Sequence, residues 1–289
     1  MKYRNSSPMS PQESRFERHI RVQAEQTSPV ELLSAETGLT RTRLKQVMQL
    51  GAVWLTHGKY TQRIRRASKP LNIGDELHLY YDEKVLSLTP SSAELIADKG
   101  EYSVWFKPFG MLSQGSKWGD HCCIARWSEQ HLEPQRPAFI VHRLDRAASG
   151  LILLAHGKRM TKLLADLFRQ RAIEKRYRVL VYGKFPNKPS PYLIETALDG
   201  RLASSQATRL KFDPESKRSL LDVSIETGRK HQIRRHLSGI GFPVVGDRLY
   251  GTGEQVQDLQ LSACYLGFIC PLTGQKIEFT APETLLPTL

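Results

Sequence analysis

Long apolar runs are missing from this chain. Stretches such as Leu151–Ala155 fall far short of the roughly 20 residues that cross a bilayer. Mean hydropathy is −0.41, and the opening Met1-Lys2-Tyr3-Arg4-Asn5 has none of the apolar core of a secretory signal. Cysteine is scarce, with four in all: Cys122 and Cys123 are adjacent, and five residues separate Cys264 from Cys270. Adjacent cysteines bridge only under strain, and neither spacing suits zinc, so four reduced thiols in a cytoplasmic setting and no metal are expected. No Walker loop and no G-x-G-x-x-G fingerprint appears, which argues against a nucleotide cofactor. Acid is the last shortage. Asp plus Glu number 29 against 42 Lys plus Arg, for a net charge of +13. Such a surplus calls for an anionic partner; nucleic acid comes first, since no basic amphipathic helix points to a membrane.

What is present is ordinary globular material, 289 residues with 40% hydrophobic and 25% charged side chains. Residues 1–28 read as a flexible basic tail with one helical piece around Glu13–Gln23. Residues 29–86 form a small α/β unit. In it a helix begins near Val30 and stops at Gly38, and Thr40 caps a second helix, Arg41–Leu50, that Gly51 ends. Strands at Ala52–Leu55 and Glu76–Tyr81 follow. Two basic clusters stand out here, Arg41, Arg43 and Lys45 on the helix and Arg63, Arg65 and Arg66 beyond the turn, against five carboxylates between positions 29 and 82. A solvated basic face is the plain alternative to RNA contact. Residues 87–99, centred on Pro90-Ser91-Ser92, read as linker, and 100–289 as a larger domain mixing short strands and helices without βαβ alternation.

Three segments of the larger domain set ionisable residues in apolar sequence. The first is His142-Arg143-Leu144-Asp145-Arg146-Ala147-Ala148-Ser149-Gly150, ahead of Leu151–Ala155. A carboxylate there needs compensation, either as a turn cap paired with arginine or as a reacting group. In the second, Glu174–Gly183, Tyr177 alternates with Val179 and Val181 and so points to a buried side, as a core residue or as a ring that stacks on a base. The third runs Gly228-Arg229-Lys230-His231-Gln232-Ile233-Arg234-Arg235-His236, with four cations in seven residues; phosphate contact competes with a plain basic face. Arg234 can reach inward to fork a buried carboxylate. His231 and His236 are five apart and do not share a helix face as paired metal ligands do.

Together these segments resemble the RluA-type pseudouridine synthases, through the His-Arg-Leu-Asp signature, the Lys-x-Tyr strand and the Gly-Arg-x-His-Gln-Ile-Arg segment. Gly241–Asp247, Leu259-Gln260-Leu261-Ser262-Ala263 and Pro271-Leu272-Thr273-Gly274 continue the likeness in order over about 100–281. Ala148 stands where that family usually has Thr, and Ser262 where it usually has His. The small unit resembles the S-four RNA-binding domain, through Leu-x4-Gly-Leu-Thr-Arg-x-x-Leu-Lys and Asn-Ile-Gly-Asp-Glu-Leu, with His57-Gly58 in place of the usual Asn-Gly turn.

The resemblance implies an α+β fold, a mixed and largely antiparallel sheet with flanking helices and a basic cleft. It implies an isomerase that turns uridine in RNA into its carbon glycoside without a cofactor. Asp145 would be the essential carboxylate, Arg234 its partner, and Tyr177 the ring over the uracil, helping proton transfer at carbon 5. Arg143, Leu144 and Leu261 would line the substrate pocket; Arg229, Lys230, His231 and the clusters of the small unit would hold RNA. Large-subunit ribosomal RNA is the expected target ahead of tRNA, and a monomer is expected. The competing class is a non-catalytic RNA-binding or ribosome-assembly protein.

Overall fold

The structure, a computed structural model, describes residues 14–24, 28–251, 253 and 257–289. The chain divides into two units, one of residues 1–90 with 114–126, the other of 91–113 with 127–289.

In the small unit β1 (Arg15–Arg21) precedes α1 (Pro29–Thr37) and α2 (Arg41–Gln49), then come β2 (Val53–His57), β3 (Tyr60–Arg63), β4 (Glu76–Asp82) and a single turn of helix, α3 (Glu83–Leu86). Ser28 caps α1 and Thr40 caps α2, each hydroxyl accepting the N–H three residues on. Leu44, Val47 and Met48 share one face of α2 and are buried against Leu33, Val53, Leu77 and Leu79. The four strands pair antiparallel in the order β1-β4-β2-β3.

Strand β1 lies where a helical piece of a flexible tail was expected. Phe16 and Ile20 are four apart, which fits a helix, yet Arg18 shares their side in a strand. Pairing with β4 settles it, because the register Arg15↔Asp82 to Arg21↔Glu76 fills backbone groups that an edge strand would leave open. Residues 1–13 and 25–27 of that tail lie outside the described residues. The expected linker is shortened as well. Part of it, β5 (Glu94–Asp98), is a strand of the large unit's sheet.

The large unit continues with β6 (Tyr102–Lys107), α4 (Ile124–His131, whose first three residues count with the small unit), β7 (Phe139–Ile140), β8 (Ser149–Ala155), α5 (Lys158–Arg169), β9 (Ile173–Tyr182), β10 (Tyr192–Glu195), β11 (Ser204–Asp213), β12 (Arg218–Ile225), α6 (Gln232–Gly239), β13 (Leu261–Ile269) and β14 (Lys276–Thr280). Its sheet runs β10-β11-β12-β9-β13-β8-β6-β5, with β14 beside β13 and β7 beside β8. All pairs are antiparallel except β13 with β8. The fold is thus the mixed, largely antiparallel α+β sheet expected.

Two cores flank that parallel seam. Met160 and Leu164 of α5 pack with Leu151, Leu153 and Phe268, while Ile233 and Leu237, one turn apart on α6, pack with Val179, Leu221 and Leu261. Each such side chain contributes about 1.5–3 kcal/mol when fully buried. At the seam Gly150 has φ +114°, and a Cβ there would lie 2.3 Å from the Ala263 nitrogen and 2.4 Å from its oxygen. Only glycine lets β8 and β13 come this close. The seam sets the loop carrying Asp145 beside Leu261.

Candidate active site

The 143–148 loop is fastened from one side by the turn after β6. Lys107 is fully buried, and its Nζ donates to the carbonyls of Pro108, Met111 and Ala148 at 3.0, 2.9 and 2.6 Å. Burial pulls its pKa down to about 7, against an upward pull from Asp145. The Ser113 hydroxyl donates to the Leu144 carbonyl at 2.7 Å and accepts the Leu144 N–H at 3.0 Å. Arg146 and Gly110 exchange two further bonds. Within the loop the Ala148 N–H donates to the Asp145 carbonyl, a tight turn that leaves the Asp145 side chain free to project.

The other side is α6. His231 caps it in a left-handed conformation, φ +53°, which costs a non-glycine residue about 1–2 kcal/mol. Its Nε2 lies 3.8 Å from Asp145 Oδ2, and its Nδ1 shares a 3.0 Å hydrogen bond with the Tyr250 hydroxyl. Burial holds its proton affinity below the ordinary histidine value, an effect that Asp145 opposes and Arg234 reinforces. Gln232, also buried, donates to the Ser204 carbonyl and Ser205 hydroxyl and so ties the start of α6 to β11.

Arg234 faces inward as its place beside Ile233 suggested, but Asp145 is not the carboxylate it forks. Its Nε and one terminal nitrogen donate to the two oxygens of Asp247 at 2.8 and 2.6 Å, while the other terminal nitrogen stands 3.7 Å from Asp145 Oδ2. The Asp247 side chain is wholly buried, and its Oδ1 also accepts the N–H groups of Leu249 and Tyr250. Burial alone would raise the Asp247 pKa; the guanidinium and these N–H groups outweigh it and hold the carboxyl below its usual range. Asp247 takes the side-on edge of the guanidinium, formed by Nε and one terminal nitrogen, and this fixes the other terminal nitrogen in its direction toward Asp145.

Arg143, Leu144, Asp145, Tyr177, Arg229, His231, Arg234 and Leu261 line one cavity of ≈ 100 Å³. Asp145 is the only carboxylate among its described lining residues, and it also lines a second hollow of ≈ 580 Å³ with Arg146, Arg248 and Leu249. Burial, and next the Asp145 charge, push the Tyr177 hydroxyl well above its ordinary pKa, so it stays protonated. Ser262 is fully buried in the seam with its hydroxyl unpartnered among the described residues, and buried Ala148 offers only its carbonyl, to Lys107.

Lys230 is exposed outside the cavity. In the small unit Arg41, Lys45 and Arg66 are exposed, Arg41 within 3.7 Å of Glu31. The other three expected RNA contacts are otherwise engaged. Arg43 bonds the Tyr81 hydroxyl and Glu83, and Arg63 and Arg65 converge on Asp120 Oδ2 at 2.5 and 2.6 Å. Sequence reasoning missed Lys107, Ser113, Asp247 and Tyr250. The signals were slight: a lysine closing an apolar strand before Pro108-Phe109-Gly110, and a lone acid after Val244-Val245-Gly246.

Comparison with known proteins gives the family. Residues 101–239 match the family model described as RNA pseudouridylate synthase. Over 279 residues the chain is 32% identical to an uncharacterised RNA pseudouridine synthase of Chloroflexus aurantiacus, covering 87% of this chain and 84% of that protein. It is 34% identical over 170 residues to the ribosomal large subunit pseudouridine synthase D of Zymomonas mobilis, 49% of this chain and 51% of that one. The solved structure titled human RNA pseudouridylate synthase domain containing 1 superposes with a TM-score of 0.57 at 22% identity, covering 69% of this chain and 88% of that one, a likeness of fold. With its cavity built around one oriented carboxylate, the chain belongs to the RluA-type family of RNA pseudouridine synthases and is an isomerase acting on RNA.

Proposed function

We propose that the protein isomerises uridine in large-subunit ribosomal RNA, with Asp145 as the reacting carboxylate, and works as a cytoplasmic monomer. The reaction breaks the bond from sugar carbon 1′ to base nitrogen 1, turns the uracil and joins ring carbon 5 to the sugar. Nitrogen 1 gains a proton and carbon 5 loses one, so no electron carrier is consumed. The observation that supports Asp145 most is its setting: a lone carboxylate in the cavity, on a loop fastened by Lys107 and Ser113 and faced by the spare N–H groups of Arg234. That environment aims the carboxylate without locking it in a tight ion pair.

Tyr177 then serves as a stacking surface for the extruded base, worth about 1–3 kcal/mol. Its protonated hydroxyl does not suit removal of the proton at carbon 5, and Asp145 is better placed for that step. Leu261 and Leu144 supply apolar wall, and Arg143 and Arg229 meet the flanking backbone. Extruding the uridine costs a few kcal/mol, which contacts to the surrounding RNA must offset. Arg41, Lys45 and Arg66 of the small unit, on the S-four-like reading, supply part of that hold. Ribosomal RNA is favoured by the printed name of the Zymomonas mobilis relative and by that reading of the small unit.

Mapping pseudouridines across total RNA with and without the protein tests the target. Loss of one or a few sites in large-subunit ribosomal RNA is expected. Loss confined to tRNA would overturn the target, and an unchanged map would overturn the activity.

A further inference from the structure

Beside the catalytic cavity lies an open groove of ≈ 640 Å³, and Ile225 forms a wall common to both. Lys175 lines the groove from β9, two residues before Tyr177. Strand alternation puts both side chains on the same face, about 7 Å apart along the chain. Arg171, in the turn between α5 and β9, also lines it, with a left-handed φ of +58°.

The charges here are unbalanced in an unusual way. Lys175 is half-buried, yet neither its side chain nor that of Arg171 has a hydrogen bond or ion pair among the described residues. Of the other charged lining groups, Lys276 is engaged by Glu278 and Glu174 by Arg176, and Glu226 is exposed and within 4 Å of no cation of the described residues. Burial pulls the Lys175 ammonium below its ordinary range, with repulsion from Arg171 next. His142, stacked on Phe168, is pushed to about 3 by burial and then by Lys175. Two cations held together without a counterion, one of them partly desolvated, are stabilised by an arriving anion. An RNA phosphodiester has the right charge and keeps it at any pH at which the enzyme works.

We propose that this groove seats the RNA strand next to the reacting uridine, with a backbone phosphodiester between Lys175 and Arg171 and the adjoining sugar and base against Ile225 and Ile269. This rests on the reading of the cavity as the uridine site, from which the strand runs past Ile225 into the groove. Lys175 is then a binding residue for the flanking nucleotide and takes no part in bond making.

The test uses K175Q, R171Q and, as a control for loss of one surface charge, K211Q at an exposed position of β11. Affinity for a transcript of large-subunit ribosomal RNA and for a uridine-rich single-stranded oligonucleotide is measured from low to moderate salt, with product formation at saturating RNA alongside. K175Q and R171Q are expected to weaken binding about 5–20-fold and to reduce the slope of log Kd against log salt by about 0.7 each, as loss of one single-strand phosphate contact does. kcat is expected to stay within about threefold, and K211Q to leave both unchanged. K175M is expected to raise the Tm of the RNA-free protein, since it removes an unpaired, partly buried charge. Unchanged salt slopes, or a fall in kcat with slopes intact, would overturn the proposal. If wild-type protein makes no pseudouridine while the slopes shift, the cavity reading fails and the groove stands.

Discussion

Each unit holds an aspartate gripped by arginine, and the two grips serve opposite ends. In the large unit one guanidinium forks one fully buried carboxylate, Asp247, and every oxygen is satisfied. The spare face of Arg234 is thereby fixed in direction, toward Asp145. In the small unit two guanidiniums crowd onto a single oxygen of Asp120, and its other oxygen is buried and unpartnered among the described residues. Arg63 also bonds the carbonyls of Gly51 and Ser116, and Arg65 that of Gln49. That cluster joins the 114–126 segment to α2 and β3 and has no free face to aim. The same residue types build a pointer in one place and a staple in the other; what differs is which group is left over, a guanidinium N–H turned to a cavity in one and a closed-in carboxylate oxygen in the other.

The largest stability effect should fall on the pointer. D247N leaves the Arg234 charge buried without its counterion and is expected to cost roughly 3–5 kcal/mol in denaturant unfolding, with activity lost too. A cost under about 1 kcal/mol would mean Arg234 is held by something else. D120N should cost less, about 1.5–3 kcal/mol, because its guanidiniums keep carbonyl partners, and kcat should be unchanged. If D120N lowered kcat as D247N does, the contrast between the units would fail.

A smaller effect separates groups that keep their charge by pairing from one that gives it up. His142 accepts the Leu153 N–H at 2.9 Å and stays neutral in the fold down to about pH 3. The unfolded chain binds a proton on this side chain near pH 6.5. Stability from this group is therefore complete above pH 6.5 and declines by about 1.4 kcal/mol per unit as the pH falls toward 3. H142F keeps the ring stack and loses the hydrogen bond. It should cost about 1 kcal/mol at pH 7, break even near pH 5.5–6 and be the more stable protein below that. Parallel stability curves for the two proteins across that range would contradict the assignment.

The site was legible from sequence where a residue's role follows from its own neighbours. Asp145 precedes a buried strand and Tyr177 alternates with valines, whereas Leu261 entered only through the family resemblance. It was illegible where the role belongs to a partner distant in the chain. Arg63 and Arg65 read as a basic run because Asp120 lies more than 50 residues on. Arg234 stands in ion-pair range of Asp145 as expected, but its fork to Asp247 went unseen because Asp247, in a Gly-Asp turn, carries no apolar periodicity to mark it as buried. Lys107 escaped for the same reason in reverse. A lysine after Val104-Trp105-Phe106 reads as a strand ending in solvent, yet it is fully buried with three carbonyls around it. In the fold, the helices of the small unit were marked by caps and spacing, whereas β1 was hidden by a Phe16–Ile20 interval that serves either period.

The measurement closest to the central claim is the D145N protein assayed for pseudouridine on RNA that the wild type modifies, with RNA affinity determined in the same preparation. Asn keeps the size of the side chain and removes the charge that Arg234 and His231 face. Product should be absent and Kd within about threefold of wild type, since the phosphate contacts remain. Pseudouridine formed by D145N at a rate near that of wild type would contradict the account.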